Sequence, residues 1–145
     1  MNILIIENEI YLAQKVVSRL LDDGHSCDYI ESPNIDNLTK EYDTILLSTS
    51  LPSALCKNII KRYSENSIIL LLVSYISDET VSNPIKDGAK DYIMKPFIMD
   101  ELIRKIYHYK ECRSMRRELQ TLRDYFNFTM EDIDTSDILM PPSFN

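Results

Sequence analysis

Three short apolar runs, at residues 3–6, 44–47 and 68–73, alternate with stretches in which hydrophobic side chains return every three or four positions. Runs of that length, rich in aliphatic residues, read as parallel strands buried on both faces. Between the first two, Leu12, Val16, Val17, Leu20 and Leu21 fall on one side of a helix, with Gly24 as the expected C-cap. Strand alternating with helix predicts an α/β fold, a doubly wound parallel sheet. Ligand chemistry in such sheets gathers beyond the carboxyl ends of the strands, which groups Glu7, Asn8, Ser48, Ser74 and Lys95 around one crevice.

The pattern changes towards the end of the chain. Gly88 is expected to close a helix, yet Pro84 stands four residues earlier and has no amide to give a helix interior. Asn83 then suits an N-cap and Pro84 the first helical position, so this helix is expected to be short or to begin late. After Pro96 the chain turns helical and stays so. Leu102, Ile106 and Tyr109 form the stripe expected to pack on the sheet. His108, Cys112, Met115, Leu119, Leu122 and Phe126 form a second stripe with spacings alternating between four and three, which is a heptad seam.

Basic and acidic residues interleave on the rest of that helix, among them Arg104, Lys105, Arg116 and Arg123 with Glu101, Glu111, Glu118 and Asp124, and read as a solvated face able to form ion pairs. The seam is open to two readings: an amphipathic helix folding back on its own domain, or a helix joining two chains or leading to an output domain. From Asn127 the pattern stops, and the acidic stretch 130–137 followed by Pro141 and Pro142 reads as linker.

Composition narrows the function classes. The 145 residues allow one compact domain and an appendage, and no apolar run approaches the roughly 20 residues needed to cross a membrane. Glu7 interrupts the first apolar run too early for a secretory signal, so a cytoplasmic protein is expected. A net charge of −7 argues against DNA binding by this chain itself, because phosphate contacts require a basic face. Cys27, Cys56 and Cys112 show no metal-ligand spacing, and His25 and His108 add no cluster, so no metal site and no cofactor are expected. Buried or passive thiols are expected, with redox sensing the alternative. A flavin or nucleotide enzyme on this fold needs a phosphate-cradling loop after the first strand, where Glu7, Asn8 and Glu9 stand instead, so no enzyme is expected.

The crevice residues and their surroundings resemble the receiver domain of two-component response regulators. The resemblance is carried by Ile-Leu-Ile-Ile-Glu-Asn-Glu at 3–9, Tyr-Asp-Thr-Ile-Leu-Leu-Ser at 42–48, Ser74, and Asp-Gly-Ala-Lys-Asp-Tyr-Ile-Met-Lys-Pro-Phe at 87–97. It implies a five-stranded, CheY-like or flavodoxin-like sheet. It also implies a pocket in which two acids after the first strand hold magnesium and an aspartate after the third accepts a phosphoryl group. Ser74, Tyr92 and Lys95 match the family's hydroxyl, switch aromatic and lysine, and Glu7 matches its first acid. Asn8 replaces the second acid and Ser48 the acceptor. A serine hydroxyl without an adjacent base is a poor nucleophile, and hard divalent cations prefer carboxylates, so the pocket is expected to be a degenerate remnant with no catalytic residue. In it Lys95 bonds Glu7 and Ser48.

The whole pattern is similar to the orphan, atypical response regulators of Helicobacter and Campylobacter relatives. That resemblance implies a receiver over 1–110, a helical extension over 111–126, and a linker over 127–145 toward an absent DNA-binding effector domain. It also implies a homodimer through the fourth helix, fifth strand and fifth helix. Asp91 matches one of the charged residues used there, while Val81, Lys86 and Tyr107 stand where the family commonly has Lys, Glu and Arg. The expected interface comprises Val81, Ile85, Asp91, Lys105, Tyr107, Met115, Leu119 and Leu122. The expected function is phosphorylation-independent control of a DNA-binding transcription regulator; a stand-alone adaptor of receiver fold and a redox-responsive regulator are the alternatives.

Overall fold

The computed structural model describes residues 1–32, 34 and 38–132, with side chains to residue 127. The chain divides into two compact units, Met1–Tyr109 and the residues from Lys110 onward. The first is built on five parallel strands: β1 (Asn2–Ile6), β2 (Ser26–Ile30), β3 (Thr44–Ser48), β4 (Ile68–Val73) and β5 (Asp91–Met94). Their order in the sheet is β2-β1-β3-β4-β5. The helices are α1 (Ile10–Asp22), α2 (Ser53–Tyr63), α3 (Asn83–Asp87) and α4 (Met99–Asp132).

Side chains of a strand alternate between faces, and the apolar runs therefore feed two cores. Leu4, Ile6, Ile45, Leu47, Ile69, Leu71 and Val73 meet Cys56, Ile59, Ile60 and Tyr63 of α2 on one face. Ile3, Ile5, Leu46, Leu70, Leu72 and Ile93 meet Ala13, Val16 and Leu20 of α1 and Leu102, Ile103 and Ile106 of α4 on the other. β3 and β4 are buried at every position, as an unalternating apolar run requires.

The end of α1 follows the expected logic. Gly24 takes φ +88°, its N–H bonds the Leu21 carbonyl, and the His25 N–H bonds that of Leu20. This is the Schellman closure, in which glycine enters the left-handed region without a Cβ penalty. Leu21, expected on the apolar stripe, is exposed.

α3 corresponds to the helix expected as the fourth, and it is short. It continues directly from a π-helical turn, Asp78–Ser82. Asn83 is not its cap. The start is capped by Ser77, whose hydroxyl accepts from the Thr80 N–H at 3.1 Å while the Thr80 hydroxyl accepts from the Ser77 N–H at 2.9 Å. Pro84 cannot donate to the carbonyl four residues back, and the Asn83 N–H instead reaches back five residues to Asp78. A missing amide thus coincides with a widened turn. At the far end Gly88 takes φ +132° where α3 passes close to the end of α2.

α4 continues past the expected stop at Phe126, to Asp132. The remainder of the expected linker, 133–145, lies outside the described residues. No helix among the described residues is long and apolar enough to cross a membrane.

Candidate functional site

The carboxyl ends of β1, β3 and β5 bring Glu7, Ser48 and Lys95 together. Glu7 is completely buried and the Lys95 side chain is 8% exposed. Lys95 Nζ donates to Glu7 Oε1 at 2.9 Å and to Ser48 Oγ at 3.2 Å. It also lies 2.8 Å from Glu7 Oε2 without the angles of a hydrogen bond, and 3.9 Å from a carboxylate oxygen of exposed Glu9. The ammonium therefore faces both oxygens of the buried Glu7 carboxylate. A buried charge persists only when it is paired in this way. The expected bond from Lys95 to Glu7 and Ser48 is present.

The loop amides around the crevice are also engaged. The Glu9 N–H donates to Glu7 Oε1 at 3.1 Å, so the carboxylate holds a β1–α1 loop amide that a phosphate-cradling loop would leave for its ligand. The Ser50 N–H donates to Ser48 Oγ at 3.3 Å. Ser48 is fully buried and its hydroxyl accepts both from this amide and from Lys95.

The residues do not fit a magnesium ion. Asn8 is exposed and supplies at best a neutral oxygen, and the one inward carboxylate is held by an ammonium. Hard cations require several oxygen ligands, normally with more than one carboxylate. Among the described residues no group of three or more His, Cys, Asp or Glu side chains is placed to hold a metal.

Ser74 and Tyr92 stand apart from the lysine network. Ser74 is exposed, and its hydroxyl lies 3.4 Å from that of Ser50. Ser50, outside the expected crevice residues, joins it through this contact and through its N–H bond to Ser48 Oγ. Tyr92 is half-buried against the α2-side core, with Lys105 Nζ 6.0 Å from its ring centre.

The residues expected at a dimer interface fall into four sets. Val81 and Ile85 are half-buried against the core of their own domain. Asp91 and Lys105 pair with each other, Nζ to Oδ2 at 2.8 Å, and Tyr109 donates its hydroxyl to the same oxygen at 3.0 Å. Burial alone would raise the Asp91 carboxyl, but the bonds from Lys105, the Tyr92 N–H and Tyr109 outweigh it and hold the group below the usual carboxylate range. Tyr107 is not with this pair. Its hydroxyl meets His25 Nε2 at 2.6 Å, beyond the end of α1. Met115, Leu119 and Leu122 lie in the second unit and are 61%, 53% and 63% exposed.

Burial pushes the Cys27 and Cys56 thiols up to about 11, which keeps both protonated near neutral pH.

No protein-family model matches the chain. Over 113 residues it is 33% identical to the transcriptional regulatory protein DltR of Streptococcus agalactiae, a match covering 73% of this chain and 50% of that protein. It is 34% identical over 112 residues to the response regulator ArlR of Staphylococcus haemolyticus, covering 72% of this chain and 50% of the relative. The chain thus spans about half the length of the curated relatives it matches. The fold is shared with a CheY-like response regulator receiver domain protein from Methanospirillum hungatei. There the TM-score is 0.72 over 79% of this chain and 97% of that one, at 19% identity.

Proposed function

From the premise that this chain carries a response-regulator receiver domain, we propose that it works without aspartyl phosphorylation, as the dimerising control module of a DNA-binding transcription regulator. The observation that carries the reading is the closed network of Glu7, Lys95 and Ser48. The position for an acceptor holds a buried hydroxyl that already accepts two hydrogen bonds, and the position for a second metal-binding acid holds exposed Asn8. Among the described residues no general base is hydrogen-bonded to the serine hydroxyl, and the lysine is occupied by the buried acid. This is the atypical, orphan type of receiver, and no reaction is assigned to it.

A ligand shifts a two-state equilibrium only if it distinguishes the states. With no phosphoryl group to do so, the state of the switch is set by packing around Ser74, Tyr92 and Lys95. Output then passes to a further domain that reads DNA. The acidic balance of this chain, with 23 Asp and Glu against 16 Lys and Arg, is wrong for DNA contact by itself. DltR is a transcriptional regulatory protein of which this chain matches half the length, and this supports such a partner domain. The redox alternative is disfavoured for Cys27 and Cys56 by their raised thiols. The adaptor alternative is separated by whether the natural reading frame encodes a DNA-binding domain after residue 145.

The test is exposure of the protein to acetyl phosphate with magnesium, followed by intact-mass spectrometry, beside a beryllofluoride titration. The mass and the spectrum are expected to stay unchanged. A stoichiometric adduct in the pocket would sink the reading.

A further inference from the structure

Five apolar positions of the second unit, Cys112, Met115, Leu119, Leu122 and Phe126, repeat at three and four residues. In heptad terms Cys112, Leu119 and Phe126 take the a positions and Met115 and Leu122 the d positions. Met115, Leu119, Leu122 and Phe126 are each more than half exposed. The flanking positions then carry one sign each. Glu111 and Glu118 stand at g, and Arg116 and Arg123 at e.

These four charges are not explained by their own helix. Neighbours on a helix lie three and four residues apart. At those spacings Glu111 meets Tyr107, His108, Ser114 and Met115, and Glu118 meets Ser114, Met115, Thr121 and Leu122. Arg116 and Arg123 likewise find no acid at three or four residues in either direction. None of the four forms an ion pair with another described residue. The mixed face expected to hold intrahelical pairs therefore lacks them at these positions.

We infer that this stretch of α4 is one strand of a parallel, in-register two-stranded coiled coil with a second copy of the chain, Glu111 and Glu118 of each helix facing Arg116 and Arg123 of the other. In a parallel coil the g residue of one helix meets the e residue of the next heptad on its partner. That rule pairs Glu111 with the partner's Arg116 and Glu118 with the partner's Arg123, and symmetry doubles both. In an antiparallel coil g meets g and e meets e, which sets Glu against Glu and Arg against Arg. The charge pattern thus selects the orientation as well as the partner. The inference rests on the dimeric reading above and deepens it: both chains leave the coil at the same end, side by side, as two DNA-reading domains on a two-fold-related site require.

The experiment uses the whole chain. Sedimentation equilibrium gives the dimer dissociation constant, and E111K/E118K is expected to weaken it on the order of tenfold, since four attractive pairs become repulsive. Adding R116E/R123E to the same chain restores every g–e pair with inverted sign and is expected to recover the affinity. An antiparallel coil gains nothing from that second change. Orientation is read independently by treating the wild-type dimer with diamide and mapping disulfide-linked peptides. A parallel register stacks the two Cys112 residues in one layer and yields a Cys112–Cys112 peptide. An antiparallel coil centred on Leu119 separates them by roughly 21 Å, 14 residues at 1.5 Å each, and yields none. A monomer at every concentration overturns the dimeric reading and this inference with it. A dimer indifferent to charge reversal and giving no Cys112 link overturns the coil alone.

Discussion

Lys95 Nζ sits 2.9 Å and 2.8 Å from the two carboxylate oxygens of Glu7, and the acid is wholly buried. The pair joins the end of β5 to the end of β1 across β3 and β4, so it ties the strand ends of the crevice together. Replacing one member leaves the other charge without its partner in a place water does not reach. Lys95→Ala is expected to cost about 3–5 kcal/mol of unfolding free energy, measured by urea denaturation at neutral pH. The double variant Glu7→Gln/Lys95→Met removes both charges while keeping their volume and is expected to recover much of that loss. Equal losses in the single and double variants would show that the lysine acts by packing alone. Neither variant is expected to respond to a phosphodonor.

The crevice was legible from the sequence because strand ends in a doubly wound sheet converge by topology, so Glu7, Ser48 and Lys95 needed only correct strand assignment. Helix faces were harder. Lys105 and Tyr107, both expected at one interface, are two residues apart on α4, which separates them by roughly 200° around the axis. The structure sends Lys105 to Asp91 and Tyr107 to His25. The bond between Ser74 and Ser50 was less accessible, since it depends on how two loops approach one another. Pro84 suggests a helix start at Asn83, whereas the capping pair Ser77 and Thr80 lies one turn earlier.

The pair of Asp91 and Lys105 predicts a pH signature. The Asp91 carboxyl lies below its ordinary value in the folded protein, so its contribution is fully present above the unfolded value of about 4 and is lost as pH falls through the folded value. With side chains 27% and 35% exposed, solvent screening limits the pair to about 1 kcal/mol. Lys105→Met keeps the aliphatic stem and removes the charge. Stability relative to wild type is expected to drop by that amount at pH 7, with the difference closing as pH falls through the lowered value of Asp91. A constant difference across the range would assign the loss to packing.

The two glycines predict unequal penalties. At Gly24 a Cβ meets nothing within 4 Å, so Gly24→Ala is expected to carry only the left-handed backbone cost of about 1–2 kcal/mol. At Gly88 the same atom comes 2.6 Å from Ser64 Cβ, and Gly88→Ala is expected to lose a further 1–3 kcal/mol or so from overpacking between α3 and α2. Ser64→Gly in the Gly88→Ala background removes the clashing atom and should return part of the difference. Thermal or urea unfolding of the four proteins decides it, and similar losses at both glycines would contradict the close approach.

The last prediction tests the proposed lack of phosphate chemistry. Ser48→Asp places a carboxylate at the proposed acceptor position, but it sets a second carboxylate beside Glu7 with Lys95 to balance them, and Asn8 still offers no charge to a metal. Lys95 is then expected to pair with both acids and keep the crevice closed to magnesium, so the single variant should take up no beryllofluoride. Adding Asn8→Asp brings three acids against one lysine, an excess of negative charge that a divalent cation relieves. The double variant is expected to bind magnesium and to show a fluorine resonance from bound beryllofluoride, with a phosphoryl adduct after acetyl phosphate. Uptake by Ser48→Asp alone would mean that the acceptor was the only barrier and that Asn8 matters less than its exposed position and neutral side chain imply. No uptake by either variant would place the barrier in the closed packing around Lys95, because the ligands and the nucleophile would then both be present.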